Sequence, residues 1–222
     1  MTDQKQARDQ QELLDLLRRH LTEQFGCHTA ILYGSRARGD WDAASDIDVI
    51  AFRDAGEAGH VAHRWHDLYL DLFLYPTATK PATDWLRLHG GRVLFQRGSD
   101  GDEVLAAVEG MLAAGPERLS ADDARTRCLW AEKMLTRAEK GDPEGDYRRH
   151  WLLMVLLEDY FALRGQWYLG PKRSLALLQR EEPQDFAVLR QALEPSASIA
   201  DIRAAVAMVI GVEDPPRRNA QT

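Results

Sequence analysis

Two aspartates flanking one isoleucine, Asp46-Ile47-Asp48, follow the pair Gly34-Ser35 after a gap of ten residues. Ile47, Val49 and Ile50 alternate with these acids, so residues 46–52 read as a strand with Asp46 and Asp48 on one face. Carboxylates held that close repel one another unless a cation sits between them, and a pair of Mg²⁺ ions with hard oxygen ligands meets that need. The Gly34-Ser35 turn closes the apolar run Ala30-Ile31-Leu32-Tyr33. It offers backbone N–H groups and a hydroxyl to phosphate oxygens, at the start of a short helix or turn over 35–39. Asp71 stands alone in Leu68-Tyr69-Leu70-Asp71-Leu72-Phe73-Leu74. A carboxylate buried among leucines costs several kcal/mol without a partner, on the order of what one hydrogen-bonded network returns. An Asp-x-Asp at a strand end is often only a cap and a Gly-Ser pair often only a loop. The third acid, on an apolar strand of its own, turns the balance toward a phosphate cradle beside a metal platform.

These residues resemble the signature of the nucleotidyltransferase superfamily that includes DNA polymerase beta. In that family a third carboxylate follows on a later strand, where Asp71 stands here, and the resemblance spans residues 28–75. It implies a catalytic set of Asp46, Asp48 and Asp71, all three metal-binding, with two Mg²⁺ ions and Asp71 as general base. It further implies that Gly34 and Ser35 hold the triphosphate of an NTP, with Arg36, Arg38 and Ser45 beside it and ATP as the default nucleotide. The reaction would be in-line attack of an acceptor hydroxyl on the α-phosphorus, releasing pyrophosphate. Antibiotic nucleotidyltransferases of the kanamycin type are the nearest models, so the expected acceptor is a small molecule such as an antibiotic. Transfer to a protein or tRNA, as in toxin–antitoxin systems, and a non-catalytic nucleotide sensor stay open as alternatives.

Further along, aromatics and glycines precede two cations in Tyr160 to Ser174. By the same resemblance, Tyr168 could stack a base and Lys172 neutralise the triphosphate. Trp167 reads better as a core aromatic at a helix joint. Glu158 and Asp159 are acids in an apolar helix, each either an additional base or the partner of an arginine. Gly34 to Gly39 has P-loop glycine spacing, but Asp40-Trp41 stands where Lys-Ser/Thr is required, which excludes that motif. His60, His63 and His66 lack a carboxylate or cysteine companion at zinc spacing.

The elements that must position these groups divide into two kinds. Up to residue 114 the pattern is α/β. An amphipathic helix over 5–25 ends at Gly26, strands occupy 28–33, 46–52 and the stretch around Asp71, and a short helix is expected from His60 to about Asp67. Helices near 82–88 and 102–113 flank the apolar stretch 92–95. Gly110 to Ser120 reads as a linker. Beyond it, helices are expected at 121–140, 145–164, 172–181, 184–193 and 198–210, with Ser120 as an N-cap. The run Trp151 to Leu157 is apolar on all sides and predicts a buried central helix. The fold class is therefore α+β: an α/β domain with a mixed sheet (1–114), a C-terminal all-α bundle (115–214) and a disordered tail (215–222).

Composition narrows the partners. The net charge is −7 and both halves of the chain are mildly acidic, which removes the electrostatic basis for a long nucleic-acid footprint. No run approaches the roughly 20 apolar residues that span a bilayer, and the first residues lack a signal peptide's apolar core. The two cysteines, Cys27 and Cys128, suggest neither a disulfide framework nor a zinc site, so the expected compartment is the cytoplasm. Either a monomer or a homodimer is compatible with the sequence.

Overall fold

The computed structural model describes residues 2–42 and 44–211, with side chains from residue 10 onward. The expected disordered tail falls outside the described residues. The chain divides into two compact units, one ending at Ala114 and the other beginning at Gly115.

The first unit is a mixed five-stranded sheet with helices on its faces. Helix α1 (Thr2–Phe25) leads into β1 (Thr29–Tyr33), the five-residue helix α2 (Gly34–Arg38) and β2 (Ile47–Arg53). Strands β3 (Gly59–Trp65) and β4 (Leu68–Pro76) form a hairpin. A 3₁₀ turn (Thr83–Leu88), β5 (Arg92–Phe95) and α3 (Asp100–Ala114) complete the unit. The strand order is β3-β4-β2-β1-β5, with β2 and β4 parallel and every other pair antiparallel.

Alternation assigns the two faces. Ile47, Val49 and Ala51 of β2 and Leu70, Leu72 and Leu74 of β4 join Leu14, Leu17 and Leu21 of α1 in one apolar core. Their neighbours on the other face are Asp48, Ile50 and Phe52 on β2, and Asp71, Phe73 and Tyr75 on β4. Trp85 of the 3₁₀ turn packs there, 5.6 Å from the ring of Phe52 and 5.0 Å from that of Tyr75. One face of the sheet thus packs against a helix, and the acids stand on the other.

The short helix expected over 60–67 is instead the edge strand β3 and a tight turn. His60, His63 and His66 mimic helical spacing, and a half-exposed edge strand carries too little apolar alternation to reveal itself. His66 and Asp67 close the hairpin with φ of 48° and 63°. Two consecutive left-handed residues match the twist of a two-residue hairpin, and Asp tolerates that conformation better than most side chains.

The second unit is helical throughout: α4 (Ala121–Ala138), α5 (Pro143–Leu163), α6 (Pro171–Glu181), α7 (Pro183–Leu193) and α8 (Ile199–Ile210). Caps mark its starts. The Ser120 hydroxyl accepts from the Asp123 N–H, the Asp142 carboxylate from the Gly145 N–H, and Ser198 with Asp201 forms a reciprocal capping box. Leu152, Leu156, Tyr160 and Phe161 of α5 pack with Ile202, Val206 and Val209 of α8 and with Leu178 and Leu189. The burial of α5 is one-sided, however. Trp151 is 40% exposed and Met154 74%, on a stripe that continues to the exposed Glu158. The apolar run is wider than the contact surface its neighbours offer. Among the described residues no helix is long and apolar enough to cross a membrane.

Candidate active site

Parallel pairing of β2 and β4 places Asp48 directly opposite Asp71, on the face away from α1. Asp46 lies just before β2, on exposed backbone rather than within the strand as its alternation with Asp48 suggested. The carboxylates nevertheless act on one another. Partial burial, then the charge of Asp71, then that of Asp46 push the Asp48 pKa from 3.8 up to about 6, against the pull of Arg38 and Arg87. Asp48 forms no ion pair among the described residues.

Gly34 makes this corner possible. It opens α2 at φ +72°, a conformation glycine adopts freely. A methyl group placed there would stand 2.0 Å from Asp48 Oδ2. Only the absence of a side chain lets the loop and the carboxylate share the space. Ser35 follows in the first turn of α2, partly buried, and its carbonyl accepts the N–H groups of Gly39 and Asp40.

Arg36 is tied to the loop instead of facing open space. It is 5% exposed, and its Nε donates to the carbonyls of Ser45 and Asp46 at 3.1 Å, its Nη2 to Ser45 O at 2.9 Å. Trp41 lies under the guanidinium at 4.8 Å. This arginine fixes the backbone entering β2, and so the position of Asp46, which leaves it little freedom to reach a phosphate. The Ser45 hydroxyl is likewise engaged, accepting from the Asp42 N–H at 2.9 Å and donating to the Asp42 carboxylate at 3.1 Å. Arg38 pairs with Asp40 at 3.3 Å.

Asp71 has a partner on the neighbouring strand. His60, stacked on Phe73 at 4.3 Å, hydrogen-bonds Asp71 Oδ1 through Nε2. Sequence spacing gave no sign of this bond, because it depends on β3 pairing with β4 in the register that sets His60 opposite Phe73.

Comparison with known proteins adds the family to which this stretch of chain is similar. The family model of the nucleotidyltransferase domain matches residues 14–76, from α1 to the end of β4. Those residues form a nucleotidyltransferase domain. No curated protein matches the chain. Among solved structures, a nucleotidyltransferase-like protein from Exiguobacterium sibiricum 255-15 aligns over 90% of this chain and 73% of its own, at 12% identity and a TM-score of 0.39.

The matched stretch of the nucleotidyltransferase domain contains Gly34, Ser35, Asp46, Asp48 and Asp71. Among the described residues no three His, Cys, Asp or Glu side chains close into a ready-made metal cage. Mg²⁺ does not ask for one: it is typically held by one or two carboxylates together with substrate phosphates and water. An all-oxygen donor set in which partial burial, and then mutual repulsion, raises the Asp48 pKa fits such an ion.

Tyr168 and Lys172 belong to the helical unit. Tyr168 packs against Phe161 at 6.2 Å and, with Glu158, lines a groove of about 950 Å³ bounded by α5, α6 and α7. Lys172 is in the first turn of α6. The two acids of α5 part ways: Glu158 is exposed, whereas Asp159 is 2% exposed and paired with Arg127 of α4. Asp159 is thereby the arginine partner that one reading of the sequence foresaw.

Proposed function

We propose that the protein transfers a nucleoside monophosphate, AMP from ATP, to a hydroxyl of a small-molecule acceptor such as an antibiotic. What supports this is the convergence of Asp46, Asp48 and Asp71 beside Gly34 in a nucleotidyltransferase domain. Asp46, Asp48 and Asp71 would hold Mg²⁺. When bound, the metal supplies positive charge to the phosphates and lowers the pKa of the attacking hydroxyl. The backbone at Gly34 and the Ser35 hydroxyl hold the triphosphate against the sheet. Arg36 keeps the Asp46 backbone in place through its carbonyl contacts. His60 hydrogen-bonds Asp71 Oδ1 and so orients the carboxylate, whose remaining lone pairs serve the metal and accept the proton of the acceptor hydroxyl. As that proton leaves, the acceptor oxygen bonds to the α-phosphorus and the bond to the β-phosphate breaks, releasing pyrophosphate.

The test is pyrophosphate release with Mg²⁺ and each NTP, across a panel of hydroxylated antibiotics. One NTP and one acceptor class should give turnover, and Asp48→Asn should reduce it on the order of 10³-fold. Full turnover by that variant would refute the carboxylate assignment. Nucleotide binding by the wild type with no turnover on any acceptor would refute the transfer.

A further inference from the structure

One cation at the carboxylate corner has two buried nitrogens without an acceptor among the described residues. Arg87 projects from the 3₁₀ turn, where its neighbours Trp85, Leu86 and Leu88 are all buried and fix the backbone. Its guanidinium lies flat over the ring of Phe73, 3.9 Å from the centroid, and 5.7 Å from that of Tyr33. Phe73 is two residues beyond Asp71 on the same face of β4, and Tyr33 is paired with Asp48 across β1 and β2. Arg87 therefore stands over the face of the sheet that carries Asp48 and Asp71, close enough for its charge to oppose the rise in the Asp48 pKa. Its Nε and Nη2 are nonetheless buried and have no acceptor among the described residues.

Buried donors without an acceptor are rare in folded proteins, since each forfeits the hydration it had in the unfolded chain. A planar guanidinium with two adjacent free N–H groups matches the paired oxygens of a phosphoryl or carboxylate group. We propose that Arg87 is a substrate-binding residue of the transfer site, whose Nε and Nη2 receive an oxyanion brought in beside Asp48 and Asp71. This deepens the transferase reading and rests on it. Two sources of that oxyanion are compatible with the geometry: a phosphoryl group of the nucleotide, or an anionic group on the acceptor. Stacking on Phe73 holds the fork in place without consuming a donor, and because both nitrogens are buried the oxyanion reaches them only as the groups covering them give way.

The experiment compares wild type with Arg87→Lys and Arg87→Gln, after melting curves show that each variant folds. Lysine keeps the charge and the stem but loses the fork. Each protein is titrated calorimetrically with a non-hydrolysable ATP analogue and Mg²⁺, and then, saturated with the analogue, with inorganic phosphate. Both variants should lose about tenfold or more in affinity for one of the two probes, as expected for a charge-assisted bidentate contact. Loss in the first titration assigns the nucleotide phosphoryl group, and loss confined to the second assigns an acceptor anion. Unchanged affinity for both probes in folded Arg87→Gln overturns the proposal, as does a wild type that takes up neither. The transferase reading fails separately, if Asp48→Asn keeps its turnover while these titrations behave as stated.

Discussion

Asp48 and Asp159 are aspartates of the same chain, each drawn out of water, and the protein treats them in opposite ways. Asp159 in the helical unit is 2% exposed and is met by Arg127 from the adjacent helix. Its charge is answered from inside the fold. Asp48 lies on the sheet with two further carboxylates acting on it, and its pKa rises to about 6. The cations near it, Arg38 and Arg87, offset that rise only in part. A buried acid with an internal partner is architecture, whereas a half-buried acid beside two other carboxylates carries a charge its neighbours only partly answer.

The sharpest way to probe that difference is to remove the internal partner. Arg127→Ala leaves Asp159 buried and unanswered, and should destabilise the helical unit by about 2–4 kcal/mol, discounted for the partial exposure of Arg127. Urea denaturation measures it, and a change under about 1 kcal/mol would place Asp159 with the weakly held acids.

At the sheet, Gly34→Ala attacks the space that Asp48 occupies. The strained φ and the 2.0 Å approach to Oδ2 should together remove about 1–3 kcal/mol of stability and most nucleotide affinity. Thermal melts and analogue binding read the two effects, and a variant that binds normally would show that the corner can open.

The smallest effect has the more telling sign. Asp48 has a folded-state pKa above its ordinary 3.8, so the folded protein binds a proton that the unfolded chain has released. Its penalty is absent below about pH 4, grows as the pH rises toward 6 and is complete above that. Asp48→Asn should therefore stabilise the ligand-free protein by about 1–2 kcal/mol at pH 7, a gain that closes as the pH falls to about 4. A pH-independent difference between the two melting curves would mean that the ionisation of Asp48 is not its source.

Much of the frame was legible because local pattern and final environment agree. The alternation of Ile47 and Val49 with the acids separated an apolar face from an acidic one, and it holds for Asp48, while Asp46 lies just before β2. Ser120 announced α4 through its hydroxyl and the acids after it. What escaped was whatever depends on pairing between distant segments. Strand β3 has no apolar alternation of its own, so neither it nor the bond from His60 to Asp71 could be read before the hairpin register was known. Arg36 looked like a phosphate ligand from its place after Ser35, yet the backbone of Ser45 and Asp46 returns over it and takes its donors. Arg87 belongs to no motif, and only the fold of the 3₁₀ turn brings it over Phe73.

The grip of Arg36 on the carbonyls of Ser45 and Asp46 also separates a length of chain from its consequences. The segment that leaves Gly39 and returns at Ser45 is stapled at its root. Residues added at its tip would lengthen an external excursion without shifting the acids beyond the staple. The Asp42 carboxylate and N–H, bound to Ser45, extend that staple outward, so the acids that follow it stay in register.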